Sequence, residues 1–390
     1  MNSNTPPLSD VSTIANQALL RRTPLHDLHL KSGARMVPFA GYDMPLHYKP
    51  GVLKEHLHTR SAVGLFDVSH MAQIAIWPKS TIQESALALE SLLPSDIVEL
   101  SPGRQRYALL TAANGGILDD VMIANLGTHF IAVVNASTRD ADLAHLRTTM
   151  PGHAIEMLDR AMLALQGPGA ENALTAHAPA IRALRFMAVA PMAIGGIACV
   201  VSRSGYTGED GFEISVPGEN AEDLVHLLLR EEHVALVGLG ARDSLRLEAG
   251  LCLYGSDIDD TTTPVEAALE WSIQKSRRAG GKRAGGFPGA EVVLAQLAAK
   301  PPRRRVGLRP EDRAPVRAGA LIYADRTSAQ AIGRITSGGY GPSLSAPIAM
   351  GYLEEPASAH GTRLFAEVRG VRHVATVVPL PFVPHRYRRS

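Results

Sequence analysis

Apolar residues recur at helical spacing across residues 52–63 and 221–231, and the pattern predicts two amphipathic helices there. Pro217-Gly218-Glu219-Asn220 lies where the second would be capped. Residues 240–250, bounded by glycines, predict a third helix in which Arg242 and Arg246 share a face one turn apart. Residues 106–111 and 121–125 read as strands on either side of Ala113-Asn114-Gly115-Gly116, whose Asn-Gly step favours a hairpin turn. Further strands are expected over 65–76, 130–135, 198–203 and 212–216. Beyond Pro301-Pro302 the helical period fades, and short runs at 306–308, 331–336, 364–368 and 374–378 predict a small β-barrel or sandwich. This mixture, rich in antiparallel connections, is α+β.

The chain has 390 residues, 45% of them hydrophobic, which is enough for two or three globular domains. Its two cysteines, Cys199 and Cys252, form no disulfide framework and no CxxC motif, so a reducing compartment is expected. The longest nearly apolar run, residues 188–201, is interrupted by Pro191, Gly195 and Gly196 and is short for a bilayer span, so no membrane segment is expected. Residues 1–20 hold no Lys or Arg, unlike the basic region of a signal peptide, and are expected to form a disordered tail.

Net charge is +1, yet residues 275–305 alone carry nine Lys or Arg against Glu291, a local +8. Such a segment reads either as a solvated linker or as a face for an acidic partner. With Phe287 as its one aromatic it lacks the stacking platforms of single-strand binders, and no nucleic-acid partner is expected.

Four stretches could carry chemistry. In Gly205-Tyr-Thr-Gly208-Glu-Asp-Gly211 three glycines permit a sharp turn before Phe212, Ile214 and Val216, which share one strand face and leave Glu213 on the other. Glu213 is then either a solvated hairpin residue or an acceptor for a ligand's N–H groups. Asp119 and Asp120 begin the strand after the hairpin turn and must face opposite ways. Arg242 and Arg246 could be surface ion-pair residues or ligand cations. His56, His58 and His70 have no recognised metal spacing, so no metal is expected. Gly238-Leu-Gly240 only hints at a dinucleotide fingerprint, because Asp243 stands where its third glycine belongs.

Nine stretches together resemble the aminomethyltransferase (T-protein) family of the glycine cleavage system. They are GLFDVSHM (64–71), NGGILDD (114–120), LALQGP (163–168), GYTGEDGFEIS (205–215), GARDSLRLEAGLCLYG (240–255), TTPVEAALEW (262–271), RRRVGL (303–308), IAMGY (348–352) and PFVP (381–384). The resemblance runs nearly the whole length of the chain. It implies a multi-domain, clover-like folate-binding fold with a C-terminal β-barrel. The boundaries would be a tail over 1–22, a core of two interleaved α+β subdomains over 23–285, and linker plus barrel over 286–390.

By the same resemblance, Glu213 receives the pterin edge of tetrahydrofolate, Tyr206 packs nearby and Arg242 meets the folate. Met71 and Asn135 are lesser pocket residues. Asp120 is the catalytic carboxylate, with Arg305 and Tyr387 brought to it from the C-terminal domain. Strand alternation then sets Asp120, Met122 and Ala124 along the pocket and turns Asp119 away. The implied reaction moves the methylene of an aminomethyl group from the dihydrolipoyl arm of H-protein to tetrahydrofolate, releasing ammonia. It would take place in the bacterial cytoplasm or the mitochondrial matrix. An alternative is a folate-binding accessory protein of iron–sulfur assembly with the same fold, but that group carries a cysteine motif where this chain reads GYTGEDGFE.

Overall fold

A computed structural model describes residues 20–313 and 315–389. Residues 1–19 of the tail expected over 1–22 lie outside them. Arg21 already belongs to the body, since it bridges Tyr42 and its N–H donates to the Gly41 carbonyl.

Three hydrophobic cores organise the chain. A six-stranded sheet runs in the order Val189–Ile194, Ile197–Ser202, Gly211–Pro217, Arg160–Gln166, Val63–Asp67, Val234–Leu236. All of its neighbours are antiparallel except the last pair. A five-stranded antiparallel sheet is ordered Arg104–Thr111, Ile117–Asn125, Phe130–Val134, Ala72–Trp77, Ala154–Met157. Its sequence is inserted between the Val63–Asp67 and Arg160–Gln166 strands of the first sheet. The third core fills a closed six-stranded antiparallel barrel spanning Arg303–Val378.

Residues 65–76 were expected as one strand. The chain instead crosses between sheets at Val68–Met71, where Asp67 turns inward to accept from Ser69 N–H and the Thr23 hydroxyl and to pair with His29. The helices at Val52–Ser61, Ala221–Leu228 and Leu239–Glu248 form where periodicity predicts them. The second follows a 3-10 turn, and Asn220 supplies no side-chain cap. The hairpin turn is present: Gly115 adopts φ +84° and Asn114 Oδ1 accepts from Gly116 N–H. Gly238 serves packing, because a Cβ there would lie 2.4 Å from the Leu46 carbonyl oxygen.

The barrel holds two strands beyond the four expected, Leu321–Tyr323 and Ala346–Glu354. The second shows no alternation because both faces are covered: Ala349 and Leu353 fill the barrel, while Ile348 and Met350 pack on Leu247. Asp257 fastens barrel to core, accepting from Arg246 and Ser337 at 2.8 Å while its carbonyl accepts from the Tyr352 hydroxyl at 2.6 Å.

Candidate active site

At one end of the site, the strand Gly211–Pro217 buries Phe212, Ile214 and Val216 completely and leaves Glu213 half-buried on the other face. Glu213 Oε2 accepts from the Ser204 hydroxyl at 2.6 Å, and Oε1 accepts no hydrogen bond among the described residues. The preceding turn needs its glycines for two reasons. Gly208 adopts φ +79°, whereas Cβ atoms on Gly205 and Gly211 would strike the Gln166 side chain and the Leu165 carbonyl. Close approach of backbone to a neighbouring strand, not to a ligand, therefore accounts for Gly205 and Gly211.

Arg242, in the helix Leu239–Glu248, reaches toward Glu213. Its guanidinium lies 4.7 Å from the centre of the Tyr206 ring and 3.9 Å from Met71 Sδ. Nη1 is buried without any hydrogen-bond partner among the described residues. Burial holds this guanidinium below its ordinary pKa, against the opposing pull of Glu213. A desolvated cation with an unused donor is an open position for a ligand's acceptor. Arg246, one turn on, is instead consumed by Asp243 and Asp257.

His70 borders the same region. It is buried, its Nδ1 has no partner, and burial, followed by the charge of Arg242, lowers its pKa to about 4, so the ring is neutral. His56 pairs with Glu248 and Ser244, and His58 with backbone carbonyls, so the three histidines face different surroundings. No group of three His, Cys, Asp or Glu able to hold a metal occurs among the described residues.

At the other end, the strand Ile117–Asn125 presents Asp120 and Met122 on its half-buried face and buries Asp119 on the other. Asp120 accepts from the Tyr107 hydroxyl at 3.0 Å and from Asn135 Nδ2 at 2.8 Å. The Asn135 amide is thus spent on protein carboxyls, which makes it a support of the site. Burial, then the neighbouring Asp119, raises the Asp120 pKa well above the usual carboxylate range. Trp271, 58% exposed, stacks on Tyr107 with ring centres 5.2 Å apart. Tyr107, Trp271, Gln105, Met187 and Gln274 line a cavity of about 320 Å³. Sequence reading used Trp271 as part of a motif but gave it no role.

Tyr206 and Cys252 join the two ends. The Tyr206 hydroxyl donates to the Cys252 carbonyl, and the Cys252 thiol, pushed up to about 12 by burial, feels the charges of Arg305 and Asp120. Arg305 reaches in from the barrel. Its Nε donates to the Ala267 carbonyl at 2.8 Å and Nη1 to the Gly250 carbonyl at 3.1 Å. Tyr387 arrives at the Glu213 end, although the resemblance sets it beside Asp120. Its ring stacks on Phe186 at 4.3 Å, and the chain is led there by the bond from Arg386 N–H to the Gly208 carbonyl.

The basic segment is neither a solvated linker nor a free face. Arg277 is buried against Glu90, and Arg283 pairs with Glu90 and Asp96. Arg303, Arg304 and Lys300 pair with Glu266, Glu270 and Glu355. Acids outside the segment absorb much of its charge.

Two interleaved α+β units closed by a barrel, around a half-buried site with a carboxylate at each end and an unpaired arginine, define the fold class. Comparison with known proteins narrows it. The GCVT N-terminal domain family matches residues 25–277, and the glycine cleavage T-protein C-terminal barrel domain matches residues 303–384. The mitochondrial aminomethyltransferase of Homo sapiens is 46% identical over 381 residues, covering 95% of this chain and 92% of that protein. That of Dictyostelium discoideum is 43% identical over 389 residues, covering 95% and 94%. The crystal structure of glycine cleavage system aminomethyltransferase T from Bartonella henselae superposes with a TM-score of 0.87 at 44% identity, covering 95% of this chain and 99% of that one. The chain belongs to the glycine cleavage T-protein family of aminomethyltransferases.

Proposed function

We propose that the protein transfers the methylene of an aminomethyl group from the dihydrolipoyl arm of H-protein to tetrahydrofolate. The C–N and C–S bonds of the aminomethyl adduct break, ammonia leaves, the dithiol is restored and 5,10-methylenetetrahydrofolate forms. The observation that carries this reading is the Arg242 guanidinium, whose buried Nη1 is unclaimed among the described residues, beside a Glu213 carboxylate whose Oε1 accepts no hydrogen bond among them. A folate offers both complements, adjacent N–H donors on its pterin and acceptor oxygens.

The chain's own residues then divide the work. Glu213, Arg242, Tyr206 and Met71 bind and orient the folate, and Tyr387 closes the wall by Glu213. Asp120, at the other end, holds or takes a proton near neutral pH and offsets positive charge developing on the methylene. Arg305 fixes the loop carbonyls around Cys252, and Met122 extends the wall beside Asp120. Positioning two reactants is the larger part of such catalysis. Both cysteines are buried and neither lies in the glycine turn, which favours the transferase over the iron–sulfur accessory alternative. The buried thiols also suit a reducing compartment, the bacterial cytoplasm or the mitochondrial matrix. No helix among the described residues is long and apolar enough to cross a membrane.

The purified chain should release ammonia from aminomethylated H-protein only when tetrahydrofolate is present. Absence of folate-dependent release would falsify the assignment.

A further inference from the structure

Two carboxyl groups meet behind Asp120. Asp119 is fully buried, and Asp142, in the helix Arg139–Thr149, is 4% exposed. Asp119 accepts from Asn135 twice, from the backbone N–H at 3.0 Å and from Nδ2 at 2.7 Å. That same Nδ2 donates to Asp120 Oδ1 at 2.8 Å. The Asp142 carboxyl is within hydrogen-bonding reach of Asp119, and its Oδ2 has no conventional donor.

The groups around this cluster do not neutralise it. Thr138 adjoins Asp142, the Tyr107 hydroxyl donates to Asp120, and the Tyr254 hydroxyl, which donates to the Ile117 carbonyl, feels the charges of Asp119, Asp260, Asp142 and Asp259. No Lys, Arg or His makes an ion pair with Asp119, Asp120 or Asp142 among the described residues. Two touching carboxylates without a cation cannot both ionise, so one keeps a proton at neutral pH. Burial and mutual repulsion accordingly raise the titration of Asp119, and burial that of Asp142.

Resting on the aminomethyltransferase reading, we propose that Asp142 is a positioning residue: its protonated carboxyl donates to Asp119, keeps Asp119 an acceptor for Asn135, and so holds the Asn135 amide on Asp120. The pair carries one negative charge whichever oxygen bears the proton. That charge stands behind Asp120 and makes it more basic. Losing the last proton sets two carboxylates against each other and disturbs the Asn135 bridge, so turnover should fall at alkaline pH.

The test uses Asp142→Asn, whose amide donates to Asp119 at every pH and cannot lose its proton. Turnover at pH ~7 should stay within about threefold of wild type, KM for tetrahydrofolate should be unchanged, and the alkaline fall should move up by at least about one pH unit, a tenfold change in proton affinity. A pH profile superimposable on that of wild type would overturn the proposal. Infrared difference spectra give an independent reading without turnover. Wild type should show a protonated carboxyl band at neutral pH that Asp142→Asn lacks and Asp120→Asn keeps, and its absence from wild type would remove the shared proton. An inactive wild type that keeps this band would refute the reaction reading, and with it the catalytic consequence, while leaving the carboxyl pair intact.

Discussion

Replacing Arg242 with methionine should move stability and ligand affinity in opposite directions. Nη1 of the guanidinium is buried with no partner among the described residues, and the group's compensations are the Tyr206 ring at 4.7 Å, Met71 Sδ at 3.9 Å and the charge of Glu213. An unsatisfied buried donor costs about 1–3 kcal/mol, while a cation–π contact returns about 0.5–2 kcal/mol. Methionine removes both and fills similar space, so the free protein should be more stable by about 1 kcal/mol, within a range from a loss of about 1 to a gain of about 2.5 kcal/mol. A hydrogen bond from a charged donor to bound folate is worth about 1.5–3 kcal/mol, so affinity should drop roughly 10- to 150-fold. Urea unfolding of the free protein, paired with calorimetric titration of tetrahydrofolate, measures both quantities. A variant that binds folate like wild type, or that loses more than about 2 kcal/mol of free-state stability, would show that Arg242 is a structural residue.

Asp120→Asn should lower turnover roughly 10²–10³-fold, the usual effect of removing one transition-state contact, with a much smaller effect in a folate titration. Glu90→Gln leaves the buried Arg277 without its counter-charge, while Arg283 keeps Asp96, and denaturant unfolding should register a loss of about 3–5 kcal/mol. Stability should also fall at both ends of the pH scale. Burial alone would raise the Glu248 carboxyl, but His56 and Ser343 hold it below its ordinary value, so its contribution is present above about pH 4.3 and lost as pH falls further. Asp119 and Asp142 are raised, so theirs is present below about pH 3.9 and lost as pH rises through their folded values. Unfolding measured across pH should therefore show both limbs, and Asp142→Asn should flatten the alkaline one.

Local pattern was enough to find the hairpin at Asn114-Gly115, the Glu213 strand and the Arg242 helix, because each has one wet face and one dry one. It failed where both faces are dry. Residues 346–354 and 65–76 offer no alternation from which an element or its break could be read. The facing of Asp119 away from Asp120 was legible from the two-residue period, but what it turns toward was not, since Asp142 comes from a helix beyond another strand. Local charge misled for the same reason at Arg283, whose partner Asp96 lies 187 residues earlier. The resemblance supplied the site residues, and only the structure separates Arg242 from Arg246 by what each touches.

The insertion of one sheet within another has a consequence for the nascent chain. Strand Val63–Asp67 leaves the ribosome with no sheet partner, and its neighbour Arg160–Gln166 follows on the order of 90 residues later. At bacterial or eukaryotic elongation speeds of about 5–20 residues per second, that apolar strand waits roughly 5–20 seconds. The inserted five-stranded sheet is complete before the wait ends, whereas the six-stranded sheet still lacks its remaining strands. Folding from the inside outward would leave Val63, Leu65 and Phe66 as the sequence that a holdase chaperone has most reason to cover during translation.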